Sequence, residues 1–134
     1  MDGVTLTPLK QIFNPKGDIL HAMKKSDEGF CGFGEAYFST VAHNMIKGWK
    51  RHREMTLNLV VPVGSIEFVC FDGRNFKSVT LSSENYQRLT VLPGIWMAFR
   101  GVADKHSVLL NIASIEHDPN ESENCSLEDI AYEW

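Results

Sequence analysis

The chain has 134 residues and a formal net charge of −4, with 43% hydrophobic and 22% charged residues. This length fits one domain, residues 1–134, and leaves no room for two, and the composition is that of an ordinary globular protein. The net negative charge argues against nucleic acid or an anionic membrane as the main partner, although a local group of cations can still bind an anionic ligand.

Taken in chain order, short apolar runs at strand spacing alternate with Gly, Pro, Asn and Asp, which predicts an all-β fold. The predicted strands cover residues 4–9, 18–23, 36–41, 46–53, 57–62, 65–72, 78–81, 87–91, 96–99 and 107–113. Short strands at such regular spacing are typical of a sandwich or a barrel and not of a parallel α/β sheet.

Only the end of the chain departs from this pattern. Residues 117–128 are acidic and polar, so we expect an exposed loop there. The sequence SLED at residues 126–129 resembles a capping box, which predicts a short C-terminal helix of one or two turns.

The three cysteines, Cys31, Cys70 and Cys125, lie far apart and form no CxxC pair. We therefore expect free thiols and neither a disulfide framework nor a zinc site. The N-terminus lacks the pattern of a signal peptide, and no apolar stretch approaches the length of about 20 residues that spans a bilayer. These features predict a cytoplasmic protein with no membrane partner.

The segment IKGWKRHR concentrates four cations and a histidine within an acidic protein. On a strand, Lys50 and His52 point to one face, while Trp49, Arg51 and Arg53 point to the other. If the first face lines a barrel interior, desolvation favours the neutral forms of Lys50 and His52, which a general base needs. The alternative is an exposed cationic edge strand whose lysines discourage aggregation.

The segment LSSENYQRLTVLPGIWMAF predicts two strands joined by a tight Pro-Gly turn. It resembles dTDP-4-dehydrorhamnose 3,5-epimerases, in which Leu-Ser-x-x-Asn leads to a Pro-Gly turn and a terminal Phe. FDGR resembles that family's Asp-x-Arg turn, and IKGW resembles its Arg-Gly-Leu-His segment. GWKRH is equally similar to the Gly-aromatic-His-x-His motif of dTDP-sugar 3,4-ketoisomerases. The likeness runs from about residue 36 to residue 121.

This resemblance implies a single-domain cupin jelly-roll β-barrel that forms a homodimer by exchanging N-terminal strands. It implies a metal-independent epimerase or ketoisomerase that acts on a nucleotide-linked, dTDP-type 4-keto-6-deoxy sugar in surface-polysaccharide biosynthesis. Such an enzyme needs no cofactor. The substrate-binding candidates are Lys47, Arg53 and Arg74 for the diphosphate, Trp49 or Trp96 for stacking, and Asn111 on the strand 107–113.

The catalytic positions depart from both families. The epimerase base falls on Lys50, and the histidine after the Pro-Gly turn falls on Met97, whereas the second ketoisomerase histidine matches His52. We assign His52 as the base and Lys50 as the enolate stabiliser or alternate base, with Tyr37 or His117 as the acid. The alternative is a non-catalytic sugar-nucleotide-binding cupin. A metal site is not expected, because the histidines and glutamate of metal-dependent cupins are missing.

Overall fold

The computed structural model describes residues 1–134, which form twelve β-strands and no helix. The strands are β1 (Val4–Pro8), β2 (Gln11–Ile12), β3 (Ile19–Leu20), β4 (Glu35–Val41), β5 (Ile46–His52), β6 (Leu57–Val63), β7 (Ser65–Phe71), β8 (Phe76–Ser82), β9 (Gln87–Val91), β10 (Trp96–Gly101), β11 (Ser107–Ala113) and β12 (Ser122–Asn124). No helix long and apolar enough to cross a bilayer is present.

Ten of these strands form two five-stranded antiparallel sheets. The first sheet has the order β1-β9-β6-β11-β4 and the second has the order β12-β5-β10-β7-β8, while β2 and β3 form a separate hairpin. Alternate residues of each strand point between the sheets, where apolar side chains of both form one buried core. Its members include Leu59, Leu89 and Leu109 from the first sheet and Phe68 and Met97 from the second.

The predicted all-β architecture is confirmed, and strands 87–91 and 107–113 have the predicted bounds. The predicted jelly-roll β-barrel is open, because no strand ladder joins the two sheets, which face each other as a sandwich. The predicted strand over 18–23 shrinks to β3, which pairs only with β2. This hairpin has little core to pack against, and Ile19 is 58% exposed.

The predicted C-terminal helix is wrong. The capping-box hydrogen bonds do form, because the Ser126 amide donates to Asp129 Oδ2 at 2.9 Å and the Asp129 amide donates to Ser126 Oγ at 3.3 Å. These hydrogen bonds close a single turn that does not continue into a helix. Forming the first turn of a helix is unfavourable, and only a longer helix compensates for it. The last residues instead lie along the sheet, where Ile130, Tyr132 and Trp134 pack over Trp49.

Residues 117–128 are only partly the predicted exposed loop. The strand β12 adds to the edge of β5, with Ser122 opposite His52 and Asn124 opposite Lys50. The preceding residue, Glu121, is only 5% exposed. The carboxylate of Glu121 can be buried here because hydrogen bonds from His52 and from two backbone amides satisfy its oxygens.

Candidate functional site

A cavity of about 340 Å³ opens between the two sheets, at the end where β4 and β5 lie. Its lining combines apolar and polar side chains, as is common in small-molecule sites. The lining residues are Tyr37, Ser39, Lys47, Gly48, Lys50, His52, Leu57, Leu59, Met97, Phe99, Leu109, Asn111 and Asn124.

The strand β5 supplies the basic wall of this cavity. Lys50 and His52 line it, while the side chains of Trp49 and Arg51 lie on the other face of the sheet. This alternation follows from the two-residue period of a strand. The side chains of Lys50 and His52 therefore face the space between the sheets, and not solvent behind the second sheet.

A β-bulge in β5 brings Lys47 to the same wall. On β10, Met97 and Phe99 are two residues apart, but their partners on β5, Lys50 and Lys47, are three residues apart. The extra residue reverses the alternation, so that Lys47 also lines the cavity. Gly48 lies inside the bulge, where a Cβ would clash with Ala98 of β10. Only glycine fits this close approach.

His52 is paired with the buried carboxylate of Glu121. Glu121 Oε1 accepts a hydrogen bond from His52 Nδ1, and Oε2 accepts the amides of Glu54 and Met55, each at 3.1 Å. Burial alone raises the pKa of Glu121, but these hydrogen bonds and the charge of His52 outweigh burial and hold that pKa below its ordinary value of 4.5. An ionised Glu121 requires a proton on Nδ1, which leaves Nε2 as the nitrogen that accepts a proton.

The opposite wall, from the first sheet, carries a tyrosine and an asparagine. Asn111 Nδ2 donates a hydrogen bond to the hydroxyl of Tyr37 at 2.8 Å. Tyr37 is 46% exposed, so its hydroxyl is accessible to a ligand, whereas Asn111 is only 5% exposed. Because the Tyr37 oxygen already accepts a bond, its own proton is free to be donated.

A second space of about 380 Å³ adjoins the cavity and shares Tyr37, Lys50 and His52 with it. Glu35, Met55 and His117 complete its lining. The four residues assigned to catalysis from the sequence therefore line one continuous region.

The candidate binding residues are more scattered. Lys47 lines the cavity and donates from Nζ to the Thr40 carbonyl at 2.6 Å, and Asn111 also lines it. Arg53 points away and is held by Glu123 at 2.9 Å and by the Asn120 carbonyl at 2.7 Å.

Two further binding candidates lie outside the cavity. Arg74 is exposed in the turn between β7 and β8, where its amide donates to Asp72. Trp49 is 1% exposed and packs beneath Tyr132 and Trp134 on the far face of the second sheet. This burial contradicts the prediction that Trp49 stacks on a ligand. Trp96, the other stacking candidate, lies under the guanidinium of Arg51 at 4.6 Å, also outside the cavity lining.

Sequence reasoning missed Glu121, Ser39 and Asn124. Glu121 lies in a polar segment interpreted as a loop, and its partner His52 is 69 residues away in the chain. The only available signal was that Glu121 is the last residue of the range over which the family resemblance runs. No three His, Cys, Asp or Glu side chains come together in a way that could hold a metal ion.

Comparison with known proteins agrees with this architecture. A family model described as FdtA, WxcM-like, C-terminal, matches residues 2–125. A dTDP sugar isomerase from Desulfovibrio desulfuricans is 36% identical, with a TM-score of 0.90, covering 93% of this chain and 85% of that one.

Two more distant structures share the fold. QdtA, a sugar 3,4-ketoisomerase from Thermoanaerobacterium thermosaccharolyticum solved with TDP, is 22% identical with a TM-score of 0.81, covering 92% of this chain and 88% of that one. NovW, a 4-keto-6-deoxy sugar epimerase from Streptomyces spheroides, is 17% identical with a TM-score of 0.81, covering 92% of this chain and 69% of that one. Among curated proteins, none matches this chain. Since the family model spans nearly the whole sequence and the Desulfovibrio protein exceeds one-third identity, this chain belongs to the FdtA family of WxcM-like C-terminal domains.

Proposed function

We propose that this protein is a metal-independent epimerase or ketoisomerase of a dTDP-linked 4-keto-6-deoxy sugar. The observation that carries the proposal is the His52–Glu121 pair, which faces Tyr37 across a cavity of sugar size. The family and the dTDP sugar isomerase at 36% identity support the substrate class. The predicted cytoplasmic location and role in surface-polysaccharide synthesis belong to the same proposal.

Both reactions begin with removal of a proton from a carbon next to the carbonyl. His52 Nε2 takes this proton, and Glu121 stabilises the imidazolium that forms, as a carboxylate does for any histidine base. The enolate oxygen gains negative charge as the C–H bond breaks. The ammonium of Lys50, on the same wall of the cavity, stabilises that charge.

The group that returns a proton to the sugar decides which reaction follows. Tyr37 lies on the opposite wall and has a free hydroxyl proton, so it would deliver a proton to the sugar face away from His52, which gives epimerisation. In a ketoisomerisation, the hydroxyl proton on the deprotonated carbon passes to the former carbonyl oxygen, and His52 returns its proton to the former carbonyl carbon. His117, in the adjoining space, is the other candidate acid.

The nucleotide part of the substrate would be anchored by charge. Of the three cations expected to bind diphosphate, Lys47 alone lines the cavity, so we assign that contact to Lys47. Its hydrogen bond to the Thr40 carbonyl uses one of three ammonium protons and leaves two for phosphate oxygens.

A non-catalytic sugar-nucleotide-binding protein is the second candidate. Lys50 and Met97 lie opposite each other on neighbouring strands and both line the cavity, at the two positions where the resembling families carry histidines. Replacement of both histidines by Lys50 and Met97 is what a binding site that has lost its catalytic base would show. His52 with its carboxylate partner favours the enzyme.

Proton NMR of dTDP-4-keto-6-deoxyglucose incubated with the protein in deuterated water tests the proposal. We expect deuterium to enter next to the carbonyl with wild type and with the control His106→Ala, which changes an exposed loop histidine, but not with His52→Ala. Inversion at the labelled carbon indicates an epimerase, and transfer of the carbonyl from C4 to C3 indicates a ketoisomerase. Broadening of the ligand lines without deuterium exchange supports the binding protein. If neither exchange nor broadening is seen, the proposed substrate class is refuted.

We also infer that the protein is a homodimer. β4 is an edge strand of the first sheet, and Phe38 on its outer face is 70% exposed. Phe13, next to the β2–β3 hairpin, is 75% exposed. Unpaired strand edges and exposed aromatic side chains favour association with a second copy. Sedimentation equilibrium should show a dimer for wild type and for the control Val102→Lys, and a monomer for Phe38→Lys.

A further inference from the structure

The space that adjoins the cavity contains one carboxylate with no assigned role. Glu35 lines this space, and no other aspartate or glutamate lines it or the cavity. The residue is half-buried, so its carboxylate is accessible from the space. That carboxylate forms no ion pair within the protein, although Lys50 lines the same space. Its oxygens are therefore available to hydrogen-bond donors of a ligand.

The strand β4 fixes the position of Glu35, through backbone pairing with Ala113 of β11. Glu35 and Tyr37 are two residues apart, so they point to the same face of the strand, about 7 Å apart along it. Lys50 and His52 have the same spacing on β5, in the other sheet. The two strands therefore present a carboxylate and a phenol to an ammonium and an imidazole across one space.

A ketoisomerisation includes a proton transfer between two oxygens that His52 cannot perform, because His52 holds the proton of the carbon. The group that moves the hydroxyl proton must first accept it and then donate it. The ammonium of Lys50 has no lone pair that can accept a proton, and the Tyr37 oxygen already accepts a hydrogen bond from Asn111. A carboxylate such as Glu35 can accept a proton and then donate it.

One other group in this space can also accept and donate a proton. His117 completes the lining, but it lies in an exposed loop after β11, whereas Glu35 is held on a strand that is paired with its neighbour. A group on a paired strand keeps a more precise position than a group on a loop. The structure therefore favours Glu35 over His117 for this step.

We propose that Glu35 is a catalytic residue that carries the hydroxyl proton from one sugar oxygen to the other, which makes the protein a ketoisomerase. This inference rests on the proposed function and deepens it. His52 Nε2 takes the proton from the carbon, the C–H electrons form a C=C bond, and the carbonyl electrons move onto the oxygen beside Lys50.

Glu35 then takes the proton of the neighbouring hydroxyl and gives it to the oxygen beside Lys50. The negative charge passes to the oxygen that has lost its proton. His52 returns its proton to the former carbonyl carbon as the new carbonyl forms. Glu35, His52 and Lys50 all end in their starting protonation states, and the reaction needs no further reactant.

The test follows dTDP-4-keto-6-deoxyglucose by proton NMR in deuterated water and measures two rates. These are the entry of deuterium next to the carbonyl and the transfer of the carbonyl from C4 to C3. In Glu35→Gln, which keeps the volume but has no carboxylate, we expect deuterium to enter at the wild-type rate, because His52 still removes the proton. Transfer of the carbonyl should fall about 10²- to 10⁴-fold, which is the contribution of a positioned acid–base group.

Two variants serve as controls. Glu35→Asp keeps a carboxylate on a shorter side chain and should transfer the carbonyl faster than Glu35→Gln. Glu84→Gln, which changes an exposed glutamate between β8 and β9, should match wild type in both rates. If Glu35→Gln does not fold, Glu35→Asp takes its place, and its carbonyl transfer should fall more than its deuterium entry.

Carbonyl transfer at the wild-type rate in Glu35→Gln would overturn the inference. An equal fall of both rates would also overturn it, because a defect in folding or binding lowers the two rates together. If wild type inverts the labelled carbon and leaves the carbonyl at C4, the protein is an epimerase, so the inference is wrong while the proposed function stands. If wild type shows neither exchange nor transfer, the proposed function fails together with the inference.

Discussion

Replacing Glu121 by glutamine should disable His52 without removing it. Glu121 Oε2 accepts two backbone amides and Oε1 accepts His52 Nδ1. A glutamine has only one oxygen. Turning that oxygen towards the two backbone amides keeps both of their hydrogen bonds, whereas the reverse orientation loses both. The side-chain NH₂ must therefore face His52, so that Nδ1 becomes the acceptor and Nε2 carries the proton. His52 then cannot act as a base.

The magnitudes follow from these contacts. Glu121 is 5% exposed, and a hydrogen bond to a buried charged group contributes about 1.5–3 kcal/mol, so Glu121→Gln should lower the free energy of unfolding by about 2 kcal/mol at neutral pH. A correctly placed general base contributes about 10²- to 10⁴-fold to the rate, and kcat should fall by this factor. The nitrogen chemical shifts of His52 report the tautomer, and urea unfolding reports the stability.

The matched control is Glu123→Gln, two residues away. Glu123 pairs with Arg51 at 2.6 Å and with Arg53 at 2.9 Å outside the cavity, so its loss should leave kcat and the His52 tautomer unchanged. If Glu121→Gln keeps the proton on Nδ1 and also keeps its activity, the assigned role of the pair is refuted. An equal loss of kcat in Glu123→Gln would mean that strand β12, and not the carboxylate, is what matters.

The stability difference between wild type and Glu121→Gln should depend on pH. The pKa of Glu121 in the folded protein is below its ordinary value of 4.5, so protonation favours the unfolded chain. The stabilisation by Glu121 is fully present above about pH 4.5 and is lost as the pH falls through the lowered value. Urea unfolding between pH 7 and pH 3 should show the difference shrink towards acid, and a constant difference would contradict the assigned ionisation.

Three further predictions concern the fold around the site. Gly48→Ala should lower the free energy of unfolding, measured with urea, by about 1–3 kcal/mol and should weaken ligand binding, because a Cβ clashes with the neighbouring strand and shifts the bulge. An unchanged free energy of unfolding would show that the neighbouring strand moves to make room for the Cβ. Trp134→Ala should lower the free energy of unfolding by about 1–3 kcal/mol and should expose Trp49, which would shift the fluorescence of Trp49 to the red. An unshifted spectrum would show that other residues cover Trp49. Cys31 should react with iodoacetamide at pH 8 while Cys70 resists, since burial raises the pKa of the Cys70 thiol to about 12; equal labelling rates in the folded protein would refute that burial.

The sequence predicted the fold class because strand periodicity is a local property. The apolar run LNLVVPV and the turns at Gly64 and Gly94 appear in short windows, and ten of the twelve strands overlap a predicted one. The same alternation placed Lys50 and His52 together on one face of β5. The resemblance added the substrate class, since motifs such as GWKRH lie within one segment.

Other features depended on contacts between distant parts of the chain. Glu121 reaches His52 only because β12 pairs with β5. No local pattern in this polar segment predicts that the side chain of Glu121 will be buried. The capping box at residues 126–129 was a true local signal, but packing of Tyr132 and Trp134 on the sheet decided the conformation of the tail.

The sequence by itself determined that the chain is all-β and that one strand carries two neighbouring candidate bases, because side-chain alternation needs no knowledge of the rest of the fold. Only the tertiary structure decided that Lys47 joins those bases through a bulge, that Trp49 is buried outside the cavity, and that the carboxylate of Glu121 pairs with His52. These features depend on register and on which sheet face is covered, and both are set by long-range pairing and burial.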